Sequence, residues 1–148
     1  RAASAGERLF EILDAPSPVK EMSNAVILEK SQGHVKFENV SFAYDDGKPV
    51  LRNINLEANP GEIIALVGPP GSGKSTIANL LPRFYDVSTG SIKVDGVDLK
   101  EFTLHSLREN IGMVQQDVFL FTTSLKENIK YGRDALSIVQ AYLGAGGN

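Results

Sequence analysis

Residues 63–81 read IIALVGPPGSGKSTIANLL. An apolar run, a glycine-rich loop and a helix-forming stretch follow one another without a gap. Residues 63–67 are apolar at every position, which predicts a central strand covered on both faces. The loop that follows, GPPGSGKS over residues 68–75, fits G-x-x-x-x-G-K-[ST]. Gly68, Gly71 and Gly73 let the backbone turn so that successive N–H groups of the loop, which includes the binding candidate Ser72, face inward as an anion nest. The helix predicted over residues 75–84 adds its positive end. Lys74 reaches β- and γ-phosphates, the Ser75 hydroxyl is a Mg²⁺ ligand, and Thr76 reaches an α-phosphate. The alternative is a chance glycine-rich turn. A strand before the loop and a helix after it argue against chance.

The chain of 148 residues is long enough for one domain with its own core, and 42% hydrophobic with 22% charged residues is ordinary globular composition. A net charge of −3 supplies no basic field, so no nucleic-acid partner is expected. Cysteine is absent, which excludes disulfides and thiolate metal sites. No apolar run reaches the ~18 residues that span a bilayer. The chain starts at Arg1 without a signal-peptide core, as expected of a piece of a longer protein.

Working outward, residues 4–14 read as a short amphipathic helix stopped by Pro16 and Pro18. Residues 14–33 are polar and read as a linker. HVKFENVSFAY alternates, with Val35, Phe37 and Val40 on one face and a break near Asn39. After a DDGK turn, a second strand places Leu51, Ile54 and Leu56 inward. STGSIKVDGVDL is a turn, a strand and a turn; TLHSLREN is a short helix with Thr103 as N-cap. IGMVQQDVFLF is another apolar strand running into a loop, and SLKENIKYG a helix ending at Gly132.

Residues 35–132 then resemble the first half of an ATP-binding cassette (ABC) domain of the exporter subfamily, in motif order and spacing as well as in the phosphate loop. The segment before them, ASAGERLFEILD, is similar to the join between the last membrane helix and the cassette in that subfamily. The resemblance implies an α/β, P-loop NTPase-like fold: a partial cassette with an antiparallel nucleotide-binding β-subdomain and a truncated mixed-sheet core. It implies three regions: residues 1–33 joining a membrane domain, 34–132 the partial cassette, and 133–148 an atypical tail.

The same resemblance places Tyr44 where an aromatic stacks on adenine. Taken alone, Tyr44 is equally a core tyrosine at a strand end. Gln116 matches the Q-loop glutamine, which touches Mg²⁺ and the attacking water and whose loop contacts the membrane domain. The expected ligands are ATP and Mg²⁺, the latter held by Ser75 and Gln116. Expected partners are the parent's transmembrane domain and a second cassette, at the cytoplasmic face of a membrane, with this chain itself soluble.

Hydrolysis needs a second Mg²⁺-anchoring carboxylate, a group that orients water and charge stabilisation opposite the γ-phosphate. No apolar run ending in Asp-Glu follows Gln116, no L-S-G-G-Q signature occurs, and both histidines, His34 and His105, precede the Q-loop. Asp95 reads as part of a strand-turn pair, and the histidines as structural or solvated. The chain is therefore expected to bind Mg·ATP without turning it over alone. Two rivals stand: a non-catalytic scaffold that self-associates through exposed apolar edges, and a GTPase or kinase of the same superfamily. Against the last, no N-K-x-D motif occurs and Arg83, Arg108 and Arg133 form no lid-like cluster.

Overall fold

The computed structural model describes residue 10 and residues 17–44, 47–114 and 120–130. The chain divides into two units, residues 1–112 and 113–148.

In the first unit four strands form one antiparallel sheet in the order β2-β1-β3-β4. They are β1 (Val35–Ala43), β2 (Pro49–Ala58), β3 (Thr89–Val94) and β4 (Val97–Asp98). Phe37 pairs with Leu56, Val40 with Ile54 and Phe42 with Leu51. Three residues of β1 thus span two of β2, and then two of β1 span three of β2. The extra residues are Asn39 (φ 51) and Asn53 (φ 49), each in the left-handed region that asparagine tolerates. Their unladdered N–H groups are taken by side chains of the opposite strand: Asn39 donates to Asn55 Oδ1 at 2.9 Å and Asn53 to Ser41 Oγ at 3.0 Å. The two bulges cancel, so Phe37, Val40, Phe42 and Leu51 all stay in the core. The break read at Asn39 is this bulge. β1 takes the same extra residue against β3, where Glu38 faces Ser91 and Ser41 faces Thr89. Gly90 lies beside it (φ 83); a Cβ there would stand 2.4 Å from the carbonyl oxygens of both Glu38 and Asn39.

Helix α1 (Lys74–Leu80) follows the glycine loop and buries Leu80, 1% exposed, against the sheet. That burial is worth about 1.5–3 kcal/mol. α1 is shorter than the expected residues 75–84. Pro82 has no N–H to continue the ladder, and Arg83, at φ 53, reverses the chain. Arg83 is only 3% exposed. It pairs with Asp86 at 2.7 Å and donates to the Lys20 carbonyl at 3.0 Å. Arg108 donates to the carbonyls of Pro82 and Arg83 and lies over the Phe84 ring at 5.3 Å. A 3-10 turn (Leu99–Glu101) leads to α2 (Leu104–Glu109), whose N-cap Thr103 accepts from Ser106 N–H as its sequence predicts.

Residues 17–33, part of the stretch read as a linker, are bonded along this unit. Val26 bridges Phe102 in parallel, Leu28 N–H donates to Ser106 Oγ at 3.0 Å, and Ser31 N–H to Asn110 Oδ1 at 2.9 Å. Asp95, at φ 52 in the β3–β4 turn, accepts from Ser31 Oγ at 2.8 Å, Gln32 N–H at 2.8 Å and His34 N–H at 3.0 Å. Partial burial raises the pKa of this carboxyl. The bonds from Ser31 and from the N–H groups of Gln32, His34 and Gly33 outweigh that and hold it below the ordinary value.

Residues 62–68 depart from the sequence expectation. They join no strand ladder among the described residues, and Ile63 and Val67 are each 94% exposed. The period of two survives. Ile64 and Leu66 line a groove of about 210 Å³ with Phe37, Leu56, Ile77 and Leu81, while Ile63 and Val67 point away. An apolar run buried on both faces needs neighbouring strands, and none is among the described residues. Residues 111–114, expected to be strand, likewise show none.

In the second unit the described part is mainly α3 (Leu125–Lys130). Ser124 Oγ accepts from Glu127 N–H at its start, and Asn128 ties back to both the N–H and the carbonyl of Phe121. Gly132, its expected end, lies outside the described residues.

Candidate functional site

The phosphate loop takes its shape from its glycines. Gly73 has φ 90 and is packed so closely that a Cβ would stand 2.6 Å from Leu51 Cδ2. A side chain there meets both backbone strain and the core. A Cβ on Gly68 would come 2.7 Å from Ser72 Oγ, so it would fill the concavity. Ser72 N–H donates to the Pro69 carbonyl at 3.2 Å, and Ile77 N–H to that of Gly73 at 3.0 Å, where α1 begins.

Lys74 turns back into the loop. Its Nζ donates to the carbonyls of Gly68 and Pro69, both at 2.8 Å, and to Ser72 Oγ at 3.1 Å. All three acceptors are neutral oxygens. No carboxylate is among them. Ser75 is exposed at the start of α1, and Thr76 is buried.

Tyr44 follows directly on β1. Its hydroxyl lies 3.1 Å from Thr76 Oγ1, across 32 residues of sequence. The Tyr44 ring meets Phe42 edge to face at 4.8 Å and Tyr85 at 5.2 Å, with interplanar angles of 84° and 88°. Tyr44 and the loop residues Gly68, Gly71, Ser72, Gly73, Lys74, Ser75 and Thr76 are thus brought to one place. Gln116 lies outside the described residues. Tyr85 was not read as a site residue; its only sequence signal was an aromatic pair after a proline, which carries no distance information.

Ionisable groups elsewhere belong to the sheet and the surface. Lys93 bonds Glu38 at 2.6 Å and Lys36 approaches it at 3.3 Å; both hold the half-buried Glu38 carboxyl below its ordinary value. His34 and His105, read as structural or solvated, each have one carboxylate in space: Glu57 at 2.9 Å across the β1–β2 pair, and Glu109 at 3.5 Å one helical turn on. Among the described residues no group of three or more His, Cys, Asp or Glu side chains could hold a metal. Nor is any described helix long and apolar enough to cross a membrane.

Comparison with known proteins agrees with this geometry. The ABC transporter family model matches residues 51–146. ATP-binding cassette sub-family B member 6 of Xenopus tropicalis is 51% identical over 127 residues, which is 86% of this chain and 15% of that protein. The heavy metal tolerance protein of Schizosaccharomyces pombe is 49% identical over 139 residues, 94% of this chain and 17% of that protein. In structure, the chain is similar to a bacterial Atm1-family ABC exporter with ATP bound. The TM-score is 0.79 at 38% identity, covering 95% of this chain and 26% of that one. The chain therefore spans about a fifth of the length of these relatives. The family match over residues 51–146, together with these relatives, shows that this chain belongs to the ABC transporter family.

Proposed function

We propose that this chain is the nucleotide-holding half of an exporter ATPase cassette. It binds Mg·ATP through the Gly68–Ser75 loop and does not hydrolyse it alone. The observation that carries the reading is the meeting of Tyr44 with the phosphate loop at Thr76, at 3.1 Å. An aromatic face for a purine and an amide-and-lysine cradle for phosphates are thereby set side by side. Lys74 would exchange its three neutral acceptors for β- and γ-phosphate oxygens, a change to charge-assisted bonds that favours the nucleotide. Ser75 and Gln116 would hold Mg²⁺, which screens the phosphate charge. The acid pair, signature and histidine that complete hydrolysis have no counterpart in the sequence, so turnover would require the remainder of the cassette and a second cassette. The Q-loop around Gln116 would face the parent's transmembrane domain at the cytoplasmic side of a membrane.

Calorimetric titration of Mg·ATP into the chain tests the binding clause, with Lys74→Ala as control. Saturable binding lost in the variant is expected; equal binding by both forms refutes it. Steady phosphate release abolished by Lys74→Ala would refute the second clause. A second reading, a half-cassette acting as a self-associating scaffold, is favoured by the 94% exposure of Ile63 and Val67. A compact monomer whose elution volume is independent of concentration argues against it.

A further inference from the structure

The Tyr44–Thr76 contact carries more than an aromatic platform needs. Stacking on a base uses the face of the ring and leaves the phenol hydroxyl without a task. Here that hydroxyl is hydrogen-bonded to Thr76 Oγ1 at 3.1 Å. Thr76 is 6% exposed, so its hydroxyl is held by protein and not by bulk water. Thr76 lies in the first turn of α1, and its hydroxyl meets a side chain from 32 residues upstream.

We propose that Tyr44 is a positioning residue for the phosphate end of the site through its hydroxyl, in addition to any contact of its ring with a base. The inference rests on the nucleotide reading above and extends it. A threonine hydroxyl offers one donor and two acceptor lone pairs. When Tyr44 donates into Thr76 Oγ1, the threonine O–H remains available as a donor for a phosphate oxygen. Donation along the chain also polarises it. The phenol can do this reproducibly because its ring is fixed. Phe42 and Tyr85 pack against it at 4.8 and 5.2 Å, both nearly perpendicular. Phe42 is itself 4% exposed in the core. The ring is rigid, so the base platform and the threonine rotor move as one body. A base that shifts the ring also shifts the phosphate grip.

The test separates hydroxyl from ring by using two probes, Mg·ATP and Mg·tripolyphosphate, the second having no base to stack. Tyr44→Phe keeps the ring and removes the hydroxyl. It is expected to weaken both probes by the same factor, about three- to tenfold, the usual worth of one net hydrogen bond. Tyr44→Ala should weaken tripolyphosphate no further but weaken ATP about another tenfold or more, as lost base stacking does. Thr76→Val should weaken tripolyphosphate at least as much as Tyr44→Phe, because it removes the donor itself, and adding Tyr44→Phe to Thr76→Val should cost little more, because the phenol then has no threonine hydroxyl to position. Thermal melts of each variant, near that of the wild type, exclude simple unfolding as the cause. Tyr44→Phe binding tripolyphosphate as well as or better than wild type overturns the proposal. So do additive losses in the double variant. A wild-type chain that binds neither probe overturns the nucleotide reading and this one with it. A chain that binds both, with Tyr44→Phe unchanged, overturns this one alone.

Discussion

The compensated bulges in the sheet make a quantitative prediction at Gly90. Its φ of 83 lies in the left-handed region, and a Cβ would stand 2.4 Å from two backbone carbonyl oxygens, those of Glu38 and Asn39. Gly96, six positions on in the next turn, has nearly the same φ, 86, and a Cβ there meets nothing within 4 Å. Alanine at either position pays the left-handed penalty of about 1–2 kcal/mol, partly offset by about 0.4–1 kcal/mol from a stiffer unfolded chain. Gly96→Ala should therefore cost about 1 kcal/mol. Gly90→Ala carries the overlap as well. The obstructing atoms are backbone of β1, so they cannot rotate aside, and overpacking of this kind adds about 1–3 kcal/mol. A total near 2–4 kcal/mol is expected, a large share of the stability of any domain. The assay is urea unfolding followed by circular dichroism, comparing midpoints at constant slope. If both variants lose the same stability within about 0.5 kcal/mol, the close packing of β3 on the bulge is refuted. A loss of tripolyphosphate binding in Gly90→Ala should only follow the loss of folded protein, since the atoms nearest its Cβ are backbone of Glu38 and Asn39.

Two further outcomes follow from the surface and the strap. The Asp95 carboxyl has a folded pKa below its unfolded one, so its contribution is fully present above the ordinary carboxylate range and is lost as pH falls through the lower folded value. Asp95→Asn should lower stability at neutral pH and flatten the acid limb of an unfolding-versus-pH curve; an unchanged limb would show that the strap at residues 31–34 is not held by this charge. Val67→Lys, at a position 94% exposed, should leave the melting temperature nearly unchanged and shift size-exclusion profiles toward monomer at high concentration; an unaltered profile would remove residues 63–67 as the self-association edge.

The phosphate loop was legible in the sequence because its chemistry is local. Gly68, Gly71, Gly73, Lys74 and Ser75 lie within eight consecutive residues, and their types report the backbone conformation they permit. The Asn39 break and the Thr103 cap were legible for the same reason, each being a mismatch of short period or a bond to a neighbour in sequence. Family resemblance placed Tyr44 beside the loop, but period and composition alone left it equally a core residue.

What required the tertiary structure were pairings at a distance. The bulge at Asn53 cancels the one at Asn39 only because the strands are aligned as Phe37–Leu56 and Phe42–Leu51. The strap at residues 31–34 finds Asp95, Tyr44 finds Thr76, and Tyr85 finds Tyr44 through the packing of elements that no short pattern connects. Residues 63–67 teach the reverse lesson. Their apolar run specifies a strand that wants cover on both faces, but burial belongs to the neighbours that supply it. Their alternation is kept while Ile63 and Val67 remain in solvent. Sequence sets what a segment can pair with; only the fold decides whether the partner is there.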